Sequence, residues 1–133
     1  MKEKDMYKNL LSCFKNNLIG KIYRIETGQI TRSIPDCYFV TFSGKNGWIE
    51  LKQTKQLANG TIKIPYRPGQ QHWLTFHEHL KLNVYVLLRV GFDFYVITKN
   101  FSKSVFTDEL DLVKDAIYIG RSLKHIEFTN LFV

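Results

Sequence analysis

The sequence lacks several features that identify common classes of protein. It has no apolar run as long as the roughly 18 residues that a transmembrane helix needs. The N-terminal stretch MKEKDMYKNLLSCF mixes charges of both signs and lacks the apolar segment of a secretory signal. No glycine-rich loop of the GxxxxGK[ST] or GxGxxG type is present, so nothing predicts a nucleotide cofactor. We therefore expect a cytoplasmic protein that does not bind a membrane.

Cysteine is also scarce, since Cys13 and Cys37 are the only two. In a cytoplasmic protein we expect both to be reduced, buried thiols rather than a disulfide. Histidine occurs four times, and three of the four lie in one predicted helix. Their spacings of five and two residues do not place them on one helical face, so a structural zinc site is not favoured. The histidines are His72, His77, His79 and His125.

What is present indicates a folded, basic domain. The chain has 133 residues, of which 44% are hydrophobic and 14% aromatic, and this length suits one domain with a single core. The net charge of +7 is typical of proteins that bind a polyanion, most often nucleic acid. A lysine-rich surface without a specific partner explains the same charge equally well, so charge alone does not choose between the two.

The pattern of apolar residues predicts an α/β domain with a mixed sheet flanked by helices. We predict a first helix over 4–18, a second over 68–81 that crosses between the third and fourth strands, and a possible helix near 107–116. The core is expected over about 4–98 and a C-terminal extension over about 99–133, within one domain spanning 1–133. The predicted strands are 21–26, 36–42, 48–53, 83–90 and 94–98.

Charged residues interrupt the hairpin formed by the second and third strands. Side chains alternate along a strand, so Glu50 and Lys52 share one face with Trp48. One register places Phe42 opposite Trp48 and leaves Asp36 far from Glu50. A register shifted by two residues places Asp36 opposite Lys52, with Glu50 as its diagonal neighbour. In the second register the two carboxylates can share a divalent cation. The alternative is that Asp36 caps a turn and that Glu50 and Lys52 are solvent-facing charges on an edge strand.

The order of these residues resembles a known signature. Ile34-Pro35-Asp36, followed 14 residues later by the start of Glu50-Leu51-Lys52, resembles the PD-(D/E)XK nuclease superfamily. Within it, the chain is most similar to virus-type replication-repair nuclease domains and Holliday-junction resolvases. The stretch RPGQQHW at 67–73 also resembles the family helix that carries a glutamine three residues before a tryptophan. The resemblance covers roughly residues 4–98.

The resemblance implies a restriction-endonuclease-like αβββαβ core and a set of site residues. Asp36, Glu50 and the backbone carbonyl of Leu51 would bind Mg²⁺ or Mn²⁺. Lys52 would orient the attacking water and help to deprotonate it, and Gln70 would support the site from the second helix. Without the resemblance, Gln70 reads as a solvated residue in the first turn of its helix.

Two departures from the family pattern concern the first helix and the loop before Pro35. Relatives often carry a glutamate on the first helix, and here Glu3 and Asp5 are the only acids near its start. Ser33 and Ile34 occupy positions where many relatives have a glycine.

Several basic residues flank these elements and are candidates for contacts with phosphates. Such contacts would make DNA binding sensitive to salt, although each residue could equally be an ordinary surface charge. The candidates are Arg24, Arg32, Lys45, Lys55, Lys63 and Arg67.

These observations lead to a specific functional expectation. The resemblance implies a metal-dependent DNA endonuclease that acts as a homodimer on branched or flapped DNA in viral or mobile-element replication, recombination or repair. If the chain is viral, we expect it in the host cytoplasm. The alternative is a non-catalytic protein that uses the same fold to bind nucleic acid or a protein partner. A restriction-like enzyme with sequence preference is a third interpretation, but no recognition domain is visible.

Overall fold

The computed structural model describes residues 2–25 and 33–133. The first half of the described chain forms a helix, three strands of the main sheet and one short additional strand. The second half contains three helices and four strands among the described residues. In chain order the elements are α1 (Glu3–Asn16), β1 (Gly20–Arg24), β2 (Cys37–Thr41), β3 (Asn46–Thr54), β4 (Ile62–Lys63), α2 (Gln70–His79), β5 (Val84–Val90), β6 (Asp93–Ile97), β7 (Val105–Phe106), α3 (Glu109–Val113), β8 (Ala116–Gly120) and α4 (Ile126–Asn130).

A six-stranded mixed sheet runs through the centre of the fold in the order β1-β2-β3-β5-β6-β8. β3 and β5 are parallel, and the other neighbouring pairs are antiparallel. α2 lies between β3 and β5 in sequence and provides the crossover that two parallel strands require. β4 and β7 form a separate two-stranded sheet. The predicted α/β fold with a mixed sheet flanked by helices is therefore confirmed.

Apolar side chains cover both faces of the central sheet. On one face Leu10 and Phe14 of α1 pack with Leu51 of β3, and on the other Leu74 of α2 packs with Val86 of β5. β3 is consequently buried on both faces over most of its length. A charged side chain in this strand therefore loses its hydration and needs partners within the protein.

The C-terminal third differs from the sequence-based prediction. A helix was predicted near 107–116, but α3 ends at Val113 and residues 116–120 form β8, which pairs with β6. β8 is short and begins with a continuous apolar run, AIYI, and such a run does not distinguish a strand from a helix by periodicity alone. Phe128 and Phe132 pack into the core on the α1 face. The last 35 residues therefore complete the central sheet and its core.

Two simple features of the chain can be read from the structure. Cys13 and Cys37 are buried free thiols, as predicted. Over residues 2–25 and 33–133, no helix is long and apolar enough to cross a membrane.

Candidate active site

The register of the β2–β3 hairpin brings the two acids together. Cys37 pairs with Ile49, and continuing this register by one residue places Asp36 directly opposite Glu50. The structure therefore adopts neither of the two registers considered from the sequence. The connection is shorter than predicted because β3 begins at Asn46, two residues before the predicted start.

Asp36 and Glu50 are held by hydrogen bonds that cross between the two strands. The backbone N–H of Asp36 donates to Oε1 of Glu50 at 3.1 Å. The backbone N–H of Leu51 donates to Oδ2 of Asp36 at 3.0 Å. Asp36 is 8% exposed and Glu50 only 1% exposed. Each carboxylate is thus fixed by the segment that carries the other.

Lys52 and Gln70 complete the contacts of Glu50. The Nζ atom of Lys52 lies 3.1 Å from Oε2 of Glu50, and the side-chain amide of Gln70 donates to the same oxygen at 2.5 Å. Both residues are buried. The Oε1 atom of Gln70 accepts from the backbone N–H of Arg67 at 2.8 Å, which fixes the orientation of the amide. The structure therefore brings together all four predicted catalytic side chains.

The start of α2 is shaped to present Gln70. Gly69 precedes the helix with a φ of 86°, in the left-handed region that glycine adopts most easily. A Cβ atom at this position would also lie 3.2 Å from the Cβ of Ser33. The glycine in the RPGQQHW stretch thus allows the chain to turn tightly into the helix and aim Gln70 at Glu50.

Arg67 occupies the space beside both carboxylates. Its Nη2 atom lies 3.5 Å from Oδ1 of Asp36 and 3.6 Å from Oε2 of Glu50. Neither Nη2 nor Nε of this buried guanidinium edge makes a hydrogen bond with any residue that the structure describes. The contact is therefore electrostatic, and it marks a position between the two acids where a cation is stabilised.

Burial changes the proton affinity of Glu50. Loss of hydration, followed by repulsion from Asp36, raises the pKa of Glu50 to about 7. Lys52 and Arg67 act in the opposite direction, but they do not offset burial. Additional positive charge beside Glu50 would restore its ionised form, which is the effect that a bound divalent cation has on a carboxylate ligand.

Two further residues lie within electrostatic range of the acids. Burial and the charge of Asp36 raise the pKa of Glu3, while Lys52 lowers it, so the start of α1 faces the site. Glu3 is one of the two acids that the sequence placed where the family often has a glutamate. Burial and the charge of Glu50 raise the pKa of Tyr66. Nothing in the sequence pattern singled out Tyr66.

The described residues contain no cluster of three or more His, Cys, Asp or Glu side chains that could hold a metal ion. The two carboxylates do fit a hard divalent ion such as Mg²⁺, which retains several waters and needs few protein ligands. The backbone N–H of Leu51 points to Asp36. Because the N–H and C=O of one strand residue point to the same side, its carbonyl also faces this site. The chemistry of these oxygen donors is therefore compatible with a hard divalent ion.

The predicted nucleic-acid contacts divide by position. Arg67 lies in the site, and Arg24 lies near Glu3 and over the ring of Tyr7 at 5.5 Å. Lys55 follows the end of β3 and is exposed.

Two other candidates do not join the site. Lys45 lies at the opposite end of β3, and its Nζ donates to the Leu131 carbonyl at 2.9 Å. Lys63 is exposed in β4, outside the central sheet. Arg32 lies outside the described residues.

Comparison with known proteins adds a structural neighbour. No family model and no curated protein matches the chain. Its fold is similar to the 1.6 Å structure of Hjc, a Holliday junction resolvase from the hyperthermophilic archaeon Archaeoglobus fulgidus, with a TM-score of 0.58 and 15% sequence identity. The similarity covers 93% of this chain and 98% of Hjc. It therefore extends into the C-terminal third. The resolvase-like, restriction-endonuclease-like fold implied by the sequence is confirmed, whereas the resemblance to virus-type nuclease domains stays a prediction.

Proposed function

We propose that this chain is a metal-dependent DNA endonuclease that hydrolyses phosphodiester bonds in branched DNA. The observation that carries the proposal is the buried group formed by Asp36, Glu50, Lys52 and Gln70, where the start of β2 and the start of α2 meet the second half of β3. Burying four polar or charged side chains is unfavourable, and apolar side chains would stabilise a purely structural hairpin without this cost. Similarity of fold to a Holliday junction resolvase supports branched DNA as the substrate.

Each residue has a role that follows from its contacts. Asp36, Glu50 and the carbonyl of Leu51 would hold Mg²⁺ or Mn²⁺. A bound ion of this kind lowers the pKa of water and neutralises charge on the phosphate. Lys52 places a positive charge beside Glu50, where it orients the attacking water and favours loss of its proton. Gln70 fixes the Glu50 carboxylate from α2. The expected products carry a 5′-phosphate and a 3′-hydroxyl.

A homodimer suits this substrate. A four-way junction has arms related by approximate two-fold symmetry, and two copies of one site in a symmetric dimer can cut opposing strands. Light scattering on the purified chain, alone and with junction DNA, tests this assembly. A role in viral or mobile-element replication, recombination or repair rests on the sequence resemblance and stays a prediction.

One observation favours the alternative, a non-catalytic nucleic-acid-binding protein on the same fold. The Arg67 guanidinium already supplies a positive charge to both acids. If this contact is permanent, the acids and Arg67 form an internal ion cluster that excludes a metal ion.

A cleavage assay separates the two functions. The purified chain is incubated with labelled four-way junction, flap, duplex and single-stranded DNA, with Mg²⁺, Mn²⁺ or EDTA. We expect cutting of the junction or flap with either metal ion and none with EDTA. Binding of the same substrates without cutting under every condition supports the non-catalytic alternative.

A further inference from the structure

A cavity of about 630 Å³ lies beside α1, away from the carboxylates. Its walls come from α1, the ends of β5 and β6, and the segment that joins β8 to α4. The Sγ atom of Cys13 in α1 donates to the Leu123 carbonyl at 3.1 Å, which holds that segment against the helix. The polar residues that matter for its chemistry are Ser12, Asn16, Arg89, Arg121, Ser122 and Lys124.

The charge of the lining is of one sign. Three cationic side chains reach the cavity, and none of its described lining residues is acidic. Asp93 lies 3.6 Å from Arg121 and partly compensates it, but this pair is at the exposed rim. The hydroxyl and amide groups from α1 add neutral hydrogen-bond donors. Cationic groups combined with neutral donors are the usual set for a phosphate.

Arg89 supplies the second observation. Its guanidinium carbon lies 5.5 Å from the ring centre of Phe94 and 6.0 Å from that of Phe92, so the aromatic rings hold it in place. Its Nε atom is buried, and no acceptor among the residues that the structure describes hydrogen-bonds to it. A buried donor without a partner is rare in a folded protein and points to an acceptor supplied from outside the chain.

Arg89 also connects the cavity to the end of β3. A second, more open cleft of about 420 Å³ is lined by Arg89 together with Gln53, Thr54 and Lys55. Arg89 lines both spaces, and Lys55 in the cleft adds a fourth cation to the three that line the cavity. Four cations spread over two adjoining spaces match a chain of phosphates better than they match a single small anion.

We propose that the cavity bounded by Arg89, Arg121 and Lys124 binds phosphates of the nucleic-acid backbone and forms a second DNA contact outside the cleavage site. This inference depends on the proposed function only in taking DNA as the ligand, and it does not require cleavage. The chain would then contact DNA at two separate sites, one at the scissile phosphate and one on a neighbouring stretch of the DNA backbone.

The test compares two double variants that remove equal charge. Arg121→Gln/Lys124→Gln changes the exposed cations of the cavity, and Lys99→Gln/Lys114→Gln changes exposed lysines elsewhere. Fluorescence polarisation with a labelled four-way junction in EDTA, at several salt concentrations, gives the Kd and its salt dependence. We expect the cavity variant to raise Kd about five- to tenfold and to reduce the slope of log Kd against log salt by about 1 to 2. The control variant should change Kd less than about twofold.

A third variant, Arg89→Gln, tests the buried donor, with circular dichroism to establish that it folds. A folded Arg89→Gln protein that binds like the unmodified chain contradicts the inference, as do equal effects of the two double variants or an absence of DNA binding by the unmodified chain. If Arg89→Gln does not fold, the double variants decide the question.

Failure of this inference is distinguishable from failure of the proposed function. Selective loss of binding in the cavity variant, without cleavage by the unmodified chain, supports the second contact and removes the nuclease. Cleavage by the unmodified chain, with equal binding by both double variants, supports the nuclease and removes the second contact.

Discussion

The backbone N–H of Asp36 donates to the carboxylate of Glu50, although 14 residues separate the two in the chain. This bond closes the open end of the β2–β3 hairpin in the place of an ordinary backbone pair. It fixes Glu50 with one oxygen toward Asp36 and the other toward Lys52 and Gln70. The acids therefore hold a defined geometry before any ligand binds, which is a requirement of an efficient catalytic site.

Replacing Asp36 should remove cleavage without unfolding the chain. Asp36→Asn keeps an oxygen that can accept from the Leu51 N–H, and the backbone bond to Glu50 is unaffected. It removes one of the two negative charges that would hold the metal ion. We expect the single-turnover cleavage rate with Mg²⁺ to fall at least about 100-fold, while Kd for DNA in EDTA stays within about twofold.

A matched acid-to-amide change provides the control. Asp115 accepts from the Asn100 side chain on the surface, so Asp115→Asn should cleave like the unmodified chain. Full metal-dependent activity in purified Asp36→Asn would remove Asp36 from the site.

Gln70 should act by positioning Glu50. In Gln70→Ala the backbone N–H of Arg67 loses its acceptor and Oε2 of Glu50 loses a donor. Both atoms lie where water has little access. We expect a loss of about 1–3 kcal/mol in the free energy of unfolding and a fall of about 10- to 100-fold in the cleavage rate. Urea denaturation and single-turnover assays measure the two effects.

The neighbouring residue offers a control for the same substitution. The Gln71 amide donates to the Phe101 and Ser102 carbonyls and does not contact the acids. Gln71→Ala should therefore leave the cleavage rate unchanged within about twofold. Equal losses of activity in the two variants would mean that Gln70 contributes only to folding.

The sequence predicted which charged side chains lie together better than it predicted the strand register that brings them there. Asp36, Glu50 and Lys52 were identifiable because charged residues are unusual in an otherwise apolar hairpin. Their order and spacing also resemble the PD-(D/E)XK signature. The register was not predictable, because the stretch SGKNG at 43–47, between the second and third predicted strands, permits several turn lengths. In the structure Gly47 belongs to β3, where a Cβ atom would lie 2.4 Å from the Asn83 carbonyl oxygen. That close approach depends on Asn83, which lies 36 residues further along the chain just before β5, and it leaves no local pattern in the sequence.

The place of Arg67 beside the two acids and the existence of β8 were not predicted, for the same physical reason. Arg67 was identified as a candidate phosphate contact, but its position between two acids results from the packing of α2 on the sheet. β8 has only five residues, and its pairing with β6 depends on contacts distant in sequence. Local propensity fixes a long periodic helix such as α1, whereas short elements are decided by tertiary packing.

The raised pKa of Glu50 predicts how pH affects the metal-free protein. A carboxyl whose pKa is higher in the folded state holds more protons there than in the unfolded chain. The contribution of Glu50 to the free energy of unfolding is therefore most favourable at acidic pH, where the carboxyl is protonated. It is lost as pH rises from about 4.5 to about 7. The maximum loss is about 3 kcal/mol.

Glu50→Gln removes this titration and should give the metal-free protein a flatter pH profile. Urea denaturation in EDTA from pH 5 to pH 8 should show the variant gaining stability, relative to the unmodified chain, as pH increases. Glu127→Gln, at an exposed acid, should follow the unmodified chain across this range. A constant difference between Glu50→Gln and the unmodified chain would contradict the assignment.

Arg67 should compete with a divalent ion for the two acids. Its Nη2 atom lies 3.5 and 3.6 Å from the carboxylates without a hydrogen bond, and the side chain is 35% exposed, so it can move toward solvent. Arg67→Gln removes this competing charge. We expect Mn²⁺ to bind several-fold more tightly, because repulsion between two cations at such a distance exceeds 1 kcal/mol even with strong screening. Isothermal titration calorimetry with Mn²⁺ measures the change.

The direction of that change decides what the guanidinium does in the site. Lys63→Gln is the matched control, since it removes one exposed positive charge from the segment just before Arg67 and should not alter the affinity. If Arg67→Gln binds Mn²⁺ more tightly, the guanidinium holds the two acids together until the metal ion displaces it, and it is then free to contact DNA phosphate. If neither the variant nor the unmodified chain binds Mn²⁺, Arg67 is not a competitor, and the acids serve the non-catalytic alternative.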